Sequence, residues 1–366
     1  MTGQRSALWK TTPLGQKRLA SKGRALVQRF PIGSQMKCDW HIIASEAYMS
    51  LGNLIRWGAV AALTLPGLLA QKPAAPEAPK AGVIPRSADG HPDLTGVWSS
   101  ASRTPFERPA VFAGKATLTD EEAKAWEGGE NARWAEGYNG PRPIESIQGG
   151  AYNVLFYDNG KELARIGGKK RTSVVVDPPD GHVPPLLPEA RGRAQRPPAV
   201  VAGDYRNLSN DTRCLVGNTP AIPLVPAAYN NNYEIVQSAD SILIEIEMVH
   251  EPRVIHMNSR HPAADIRFWG GDSIGHWEGN TLVVETTNFT DKTHYRGSSR
   301  AMKVTERFTR VSDRSIEYRA TMDDPSTWAK PWTIEEQLVL QADPILEYAC
   351  HEGNYAMQGI LGGKER

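Results

Sequence analysis

The sequence predicts a mainly β protein, an antiparallel meander that closes into a lipocalin-like barrel and carries a long, partly helical excursion. Three observations predict it. From Tyr233 onward, apolar and polar residues alternate with a period of two in one segment after another, the signature of half-buried strands. Seven or more such segments follow with short connections, and a meander that long normally closes on itself to remove its edges. Gly and Pro supply 33 and 27 of the 366 residues, which favours tight turns over long helices.

Residues 1–48 hold eight Lys and Arg against Asp39 and Glu46, a net +6 without clear periodicity. They read as a leader, or as sequence upstream of a true start at Met49, with an organelle presequence as the rival reading. Met49 opens a segment built like a secretory signal peptide, with Arg56, an apolar run from Gly58 to Ala70, and small residues after it. That run is about 13 residues, short of the roughly 20 that span a bilayer. Residues 49–70 are therefore expected to be cleaved, leaving no stable membrane span and a periplasmic or secreted protein. Residues 71–90, rich in Pro and Ala, read as a flexible linker to one domain over 91–366. Once the basic leader and Arg56 are set apart, the formal +1 becomes −6 for the remainder, a poor match to nucleic acid.

Cysteine usage agrees with export. Cys38 falls in the segment that would be lost, so Cys214 and Cys350 remain as an even pair in an oxidising compartment. A disulfide between them would close a loop of about 135 residues, worth up to about 5 kcal/mol by chain entropy. Two unrelated buried thiols are the alternative.

Within the domain, DLTGVWSS reads as the first strand. Thr119 with Glu122 three residues on is a capping-box signature, and Gly128-Gly129 interrupt the pattern that follows, so one or two short helices are expected. Residues 118–213 form the excursion, with a hairpin around residues 158–160 and a buried strand in TSVVVDPP stopped by Pro178. Further strands are read at 242–250, 254–257, 304–311, 316–322, 333–340 and 345–350. In GHWEGNTLVVETTNF, Gly279-Asn280 forms a two-residue hairpin loop that pairs Trp277 with Leu282 and His276 with Val283.

Several segments, DLTGVW, RTSVVVDPPDGHVPPLLPEAR, YNNNYEIVQ, GDSIGHWEGNTLVVETTNFTDKT and EYACHEGNYAMQGIL, resemble those of a family of secreted proteins of soil bacteria with no settled activity. Gly96-Val97-Trp98 is also similar to the opening motif of lipocalins, and that resemblance implies a barrel holding an apolar ligand.

Six of the nine His lie after position 249, in the strand-rich half. His250 continues the face of Ile242, Ile244, Ile246 and Met248, which points it inward at one barrel end, and His256 follows a turn over residues 251–253. His276 and Glu278 share a face two residues apart: acid–base groups if the interior is polar, a solvated face if it is apolar. EYACHEGNY places His351, Glu352, Asn354 and Tyr355 beside the expected disulfide, as a rigid site or as a terminal loop. Tyr229, Asn231 and Tyr233 of YNNNY present amides and rings to a ligand, or serve a turn. Gly271-Asp272-Ser273-Ile274-Gly275 matches G-x-S-x-G, but a hairpin rather than a helix follows, so Ser273 is not read as a nucleophile. Neither a cofactor nor a metal is indicated by spacing. The functional expectation is an exported protein with a small-molecule cavity that either binds only or works as a cofactor-independent lyase, hydratase or hydrolase. In the second case His250 or His351 is the base and Glu352 or Glu278 the acid. The alternative is a lipocalin-like binder of an apolar or aromatic ligand.

Overall fold

Two-residue alternation decides the architecture. The computed structural model describes residues 83–139, 158, 160–194, 204–205, 208–210, 212–216, 222–227, 229–293 and 295–362, all within the unit Pro73–Arg366. The expected leader, signal segment, first part of the linker, His294, and residues 153–157 and 159 of the hairpin expected around 158–160 lie outside the described residues.

In chain order the elements are β1 (Gly96–Ser99), β2 (Thr117–Leu118), α1 (Asp120–Asn139), β3 (Arg165–Ile166), β4 (Lys169–Arg171), β5 (Val175–Asp177) and α2 (Arg191–Ala194). There follow β6 (Asn232–Gln237), β7 (Ser241–Ile246), β8 (Glu251–Met257), β9 (Asp272–Glu278), β10 (Thr281–Thr287), β11 (Lys303–Arg310), β12 (Ser315–Asp323), β13 (Trp332–Leu340) and α3 (Ala356–Gly362). Strands β6 to β13 pair in sequence, β1 joins both β6 and β13, and a nine-stranded barrel results. Strand β5 adds to β13 beyond the point where β1 leaves it.

The inward set is the one the period picks out: Ile242, Ile244 and Ile246 on β7, Val304 and Phe308 on β11, Ile316, Tyr318, Ala320 and Met322 on β12, all buried. These belong to one core with Trp98, Trp332 and Ile334, and the segment Ile222–Val225 adds Ile222, Leu224 and Val225 to it. The hairpin has the expected register, Trp277 opposite Leu282 and His276 opposite Val283, with Gly279 at φ +59° in its turn. Cys214 and Cys350 are bonded, their Cα atoms 5.9 Å apart across 136 residues.

Five local readings are corrected. Helix α1 runs through Gly128-Gly129 as one element of 20 residues, because the capping box operates and anchors its start: Glu122 Oε2 accepts from Thr119 N and Thr119 Oγ1 from Glu122 N. A four-residue helix, α2, stands in the excursion where only turns and strands were read. The strand read over 242–250 stops at Ile246, since Val249 and His250 turn into the left-handed region at φ +65° and +49°. Residues 345–350 form no strand; β1 already takes the edge of β13 they would have used. Finally, β8 and β9 are parallel, because the chain from Asn258 to Gly271 crosses back before re-entering the sheet. Gly275 sits at this seam, where a Cβ would come within 2.8 Å of the Ile255 side chain.

Candidate functional site

Two carboxyl groups sit inside the barrel, and their surroundings differ. On β11, Glu306 is fully buried. It faces Arg253 of β8, whose Nη1 donates to Oε1 at 3.0 Å and whose Nη2 donates to Oε2, a bidentate pairing. Arg253 Nε donates to Ser273 Oγ at 3.1 Å and Nη2 also reaches Thr286 Oγ1 at 3.0 Å. Tyr318 OH donates to Glu306 Oε1 at 2.8 Å and accepts from Leu224 N at 3.0 Å, tying the inserted segment to the network. Burial beside the carboxylate holds the Tyr318 phenol well above its ordinary value. Every group here has its partner, which is what makes an ion pair tolerable in an apolar interior.

On β13, Glu336 is also fully buried, at the position opposite Tyr318. Among the described residues no Lys, Arg or His pairs with it. Its Oε1 accepts from Gln337 N at 2.9 Å and its Oε2 meets Ser102 Oγ at 3.3 Å. Burial pushes this carboxyl up to about 8, against the hydrogen bonds from Gln337 and Ser102, which lower it. The group is therefore a neutral acid at pH 7. Oε1 is committed to Gln337 N–H, and Oε2 is the oxygen that faces Ser102. Nearby, Tyr233 OH lies 3.1 Å from Ser100 Oγ, and burial pushes that phenol up to about 12. The cluster lies where β1 peels away from β13 and β5 takes over, so hydroxyls of the departing chain, Ser100 and Ser102, face the interior. Ser102 is half-buried and is the cluster's approach from outside.

The residues read from the sequence are placed elsewhere. His250 lies outside the barrel wall in a groove of about 350 Å³ with Glu234, Val236, Leu243, Glu245 and the crossing residues Ile345 and Glu347; the turn after Ile246 reverses the inward phase expected for it. His256 is exposed on the outer face of β8, whose inward residues are Arg253, Ile255 and Met257. The solvated reading holds for His276, which lies 3.3 Å from Glu278, itself bonded to Arg307 at 2.8 Å. That Arg307 bond, with His276 second, holds the Glu278 carboxyl below its ordinary value. His351 and Glu352 are exposed, as is Tyr355, while Asn354 is half-buried, so EYACHEGNY takes its terminal-loop form. Asn231 holds a turn: its Oδ1 accepts from Ala227 N at 2.6 Å and its Nδ2 donates to Ala227 O and Asp158 O. Tyr229 is half-buried, and Tyr233 alone of the YNNNY residues points into the barrel. Ser273 faces inward on a strand with its hydroxyl held by Arg253 and Thr286, so it is no nucleophile.

The structure thus places His250, His256, His276 and His351 apart from one another outside the barrel interior and brings together Glu306, Glu336, Arg253, Tyr233 and Tyr318, of which the sequence singles out only Tyr233. A signal for the two glutamates exists. Glu306 stands between Val304 and Phe308 and Glu336 between Ile334 and Leu338, in the apolar phase of their strands. Among the described residues no group of three or more His, Cys, Asp and Glu converges as metal ligands would. Protein-family models, curated proteins and solved structures give no match to this chain.

Proposed function

We propose that this is an exported, cofactor-independent protein that takes a small molecule at the β1–β13 seam and moves a proton to or from it with Glu336. The observation that carries this reading is a buried carboxyl with no cation beside it among the described residues, in a barrel whose other interior glutamate has one. A group kept neutral at pH 7 can donate a proton to a developing oxyanion, and two serine hydroxyls and a phenol beside it supply orienting hydrogen bonds. Lyase, hydratase and hydrolase chemistry all need such an acid. Export is supported by the Cys214–Cys350 disulfide and by the secretory build of residues 49–70. No helix among the described residues is long and apolar enough to cross a membrane. The resemblance to secreted soil-bacterial proteins points the same way.

The test has two parts. Carbon-13 labelling of glutamate carboxyls, with Glu336 identified through Glu336→Gln, should show one resonance titrating near 8. A Glu336 that titrates near 4.5 overturns the reading whatever the substrate. Turnover of 4-nitrophenyl esters and conjugated enones is then compared at matched folding by circular dichroism. Glu336→Gln should lose on the order of 100-fold or more, with the wild-type activity falling above about 8 as the acid loses its proton.

A further inference from the structure

The buried tryptophans and tyrosines of the barrel fall into two groups. In one, each polar edge is met: Trp98 Nε1 donates to Leu94 O at 2.8 Å, Tyr318 OH donates to Glu306, and Tyr233 OH meets Ser100 Oγ. In the other, Tyr295 OH, Trp328 Nε1 and Trp332 Nε1 are buried and none of them meets an acceptor among the described residues, Arg296 beside the phenol being able only to donate to it. These three are neighbours. Trp332 opens β13; Tyr295 stacks on it with centroids 6.2 Å apart and planes at 16°, and Trp328 meets it edge-on at 5.4 Å. Phe106 closes the other edge at 6.2 Å.

An unmet buried donor is destabilising because it has given up its bond to water, and such groups in a folded protein call for an explanation. Here the three lie together at one end of the barrel, while the buried Trp98, Tyr233 and Tyr318 elsewhere in the interior each have a partner. All three lack the same thing, an acceptor. Indole N–H can only donate, and the neighbouring Arg296 cannot take the Tyr295 proton because a guanidinium has no lone pair to offer. Arg296 is exposed, and its guanidinium lies 3.9 Å from the Phe106 ring centroid and 5.9 Å from that of Tyr295. It is held in the left-handed region at φ +51°, a conformation unfavourable for a long side chain and found at ligand clamps.

We infer that the Tyr295–Trp328–Trp332 cluster is a binding site for a planar aromatic carboxylate. The aromatic walls suit a flat apolar ring. Its carboxylate oxygens supply the acceptors that two indoles and a phenol lack. Arg296 and Phe106, the members of the cluster that reach the surface, form the entrance, where the guanidinium attracts the anion and matches its planar geometry. This site stands on its own observations and does not depend on the role given to Glu336.

Benzoate is the probe. Titrated into the nitrogen-15 tryptophan-labelled protein, it should produce a saturable downfield shift of two indole N–H signals, identified by their contacts to the Tyr295 ring or by Trp328→Phe and Trp332→Phe where those variants fold. Arg296→Gln, a change at an exposed position, should weaken binding about tenfold, the scale of a lost charge-assisted hydrogen bond. Tyr295→Phe should weaken benzoate by a smaller factor and leave the midpoint of thermal unfolding equal or higher, since it removes a buried O–H that has no acceptor while the exposed Arg296 beside it can turn to water. Cyclohexylammonium should shift neither signal. Absence of a saturable shift, a shift unaffected by Arg296→Gln, or indole protons that keep their contact with water throughout the titration would each overturn the proposal.

Discussion

Glu306 and Glu336 lie on strands separated only by β12, both point into the barrel and both are 0% exposed, yet one is built as structure and the other is not. Glu306 has a bidentate arginine and a phenol, and Arg253 has in turn two hydroxyls for its remaining donors. Glu336 has one backbone N–H and one serine. A charge buried without a partner is driven to neutralise rather than to pair. The comparison teaches that burial alone does not assign a role; what matters is whether the surroundings stabilise the charged or the neutral form. A group held in its neutral form still carries a proton at pH 7, whereas a carboxylate in an ion pair with every bond filled does not. On the next position of β13 the contrast repeats across the sheet. Glu335 faces outward and pairs with Arg171 and Arg319.

The comparison can be broken or sharpened in four ways. The largest expected effect is on the pH dependence of stability. The unfolded chain releases the Glu336 proton near 4.5 and the folded protein only near 8. The native state thus holds an extra proton between these values, and stability falls as pH rises through that window before levelling off. The full span is on the order of 4–5 kcal/mol. Urea unfolding from pH 4.5 to 9 should show this slope in the wild type, and Glu336→Gln should lack it.

Next, Arg253→Met should destabilise the protein by about 3–5 kcal/mol at pH 7, because it leaves Glu306 buried without its cation. If the same denaturant measurement gave less than about 1 kcal/mol, the two glutamates would not differ in the way described. Third, Tyr318→Phe should cost about 1–3 kcal/mol by stripping a donor from Glu306 and an acceptor from Leu224 N, whereas Ser102→Ala beside Glu336 should cost no more than about 1 kcal/mol. Equal losses in the two variants would erase the contrast. Smallest of all, His276→Ala on the outer wall should change stability by less than about 0.5 kcal/mol, measured as a thermal midpoint within error of wild type.

The register of the hairpin shows how much of the fold was legible. Trp277 opposite Leu282 follows from a Gly-Asn pair between two alternating runs, a local rule that needs no knowledge of the rest of the chain. The inward phase of β7, β11 and β12 follows in the same way. His250 shows where that reasoning stops. Two residues in the left-handed region after Ile246 restart the strand out of phase, and nothing in MVHEPR signals the turn. The glutamates lay within reach of the alternation rule, which marks their phase as inward, but a strand read only as a strand does not single out the charged residue in its apolar row.

The sequence by itself determined the β class, the inward phase of β7, β11 and β12, the hairpin register and the capping box, and it marked Cys214 and Cys350 as a candidate pair, because each depends on neighbours in the chain or on a count of residue types. Only the tertiary structure decided that β1 closes the barrel, that Arg253 meets Glu306 while Glu336 meets no cation among the described residues, and that three aromatic donors share one end without an acceptor among them. Those facts depend on which strands become neighbours and on where a seam opens between β1 and β5. Distances across a closed barrel are set by its circumference and shear, which no local period encodes.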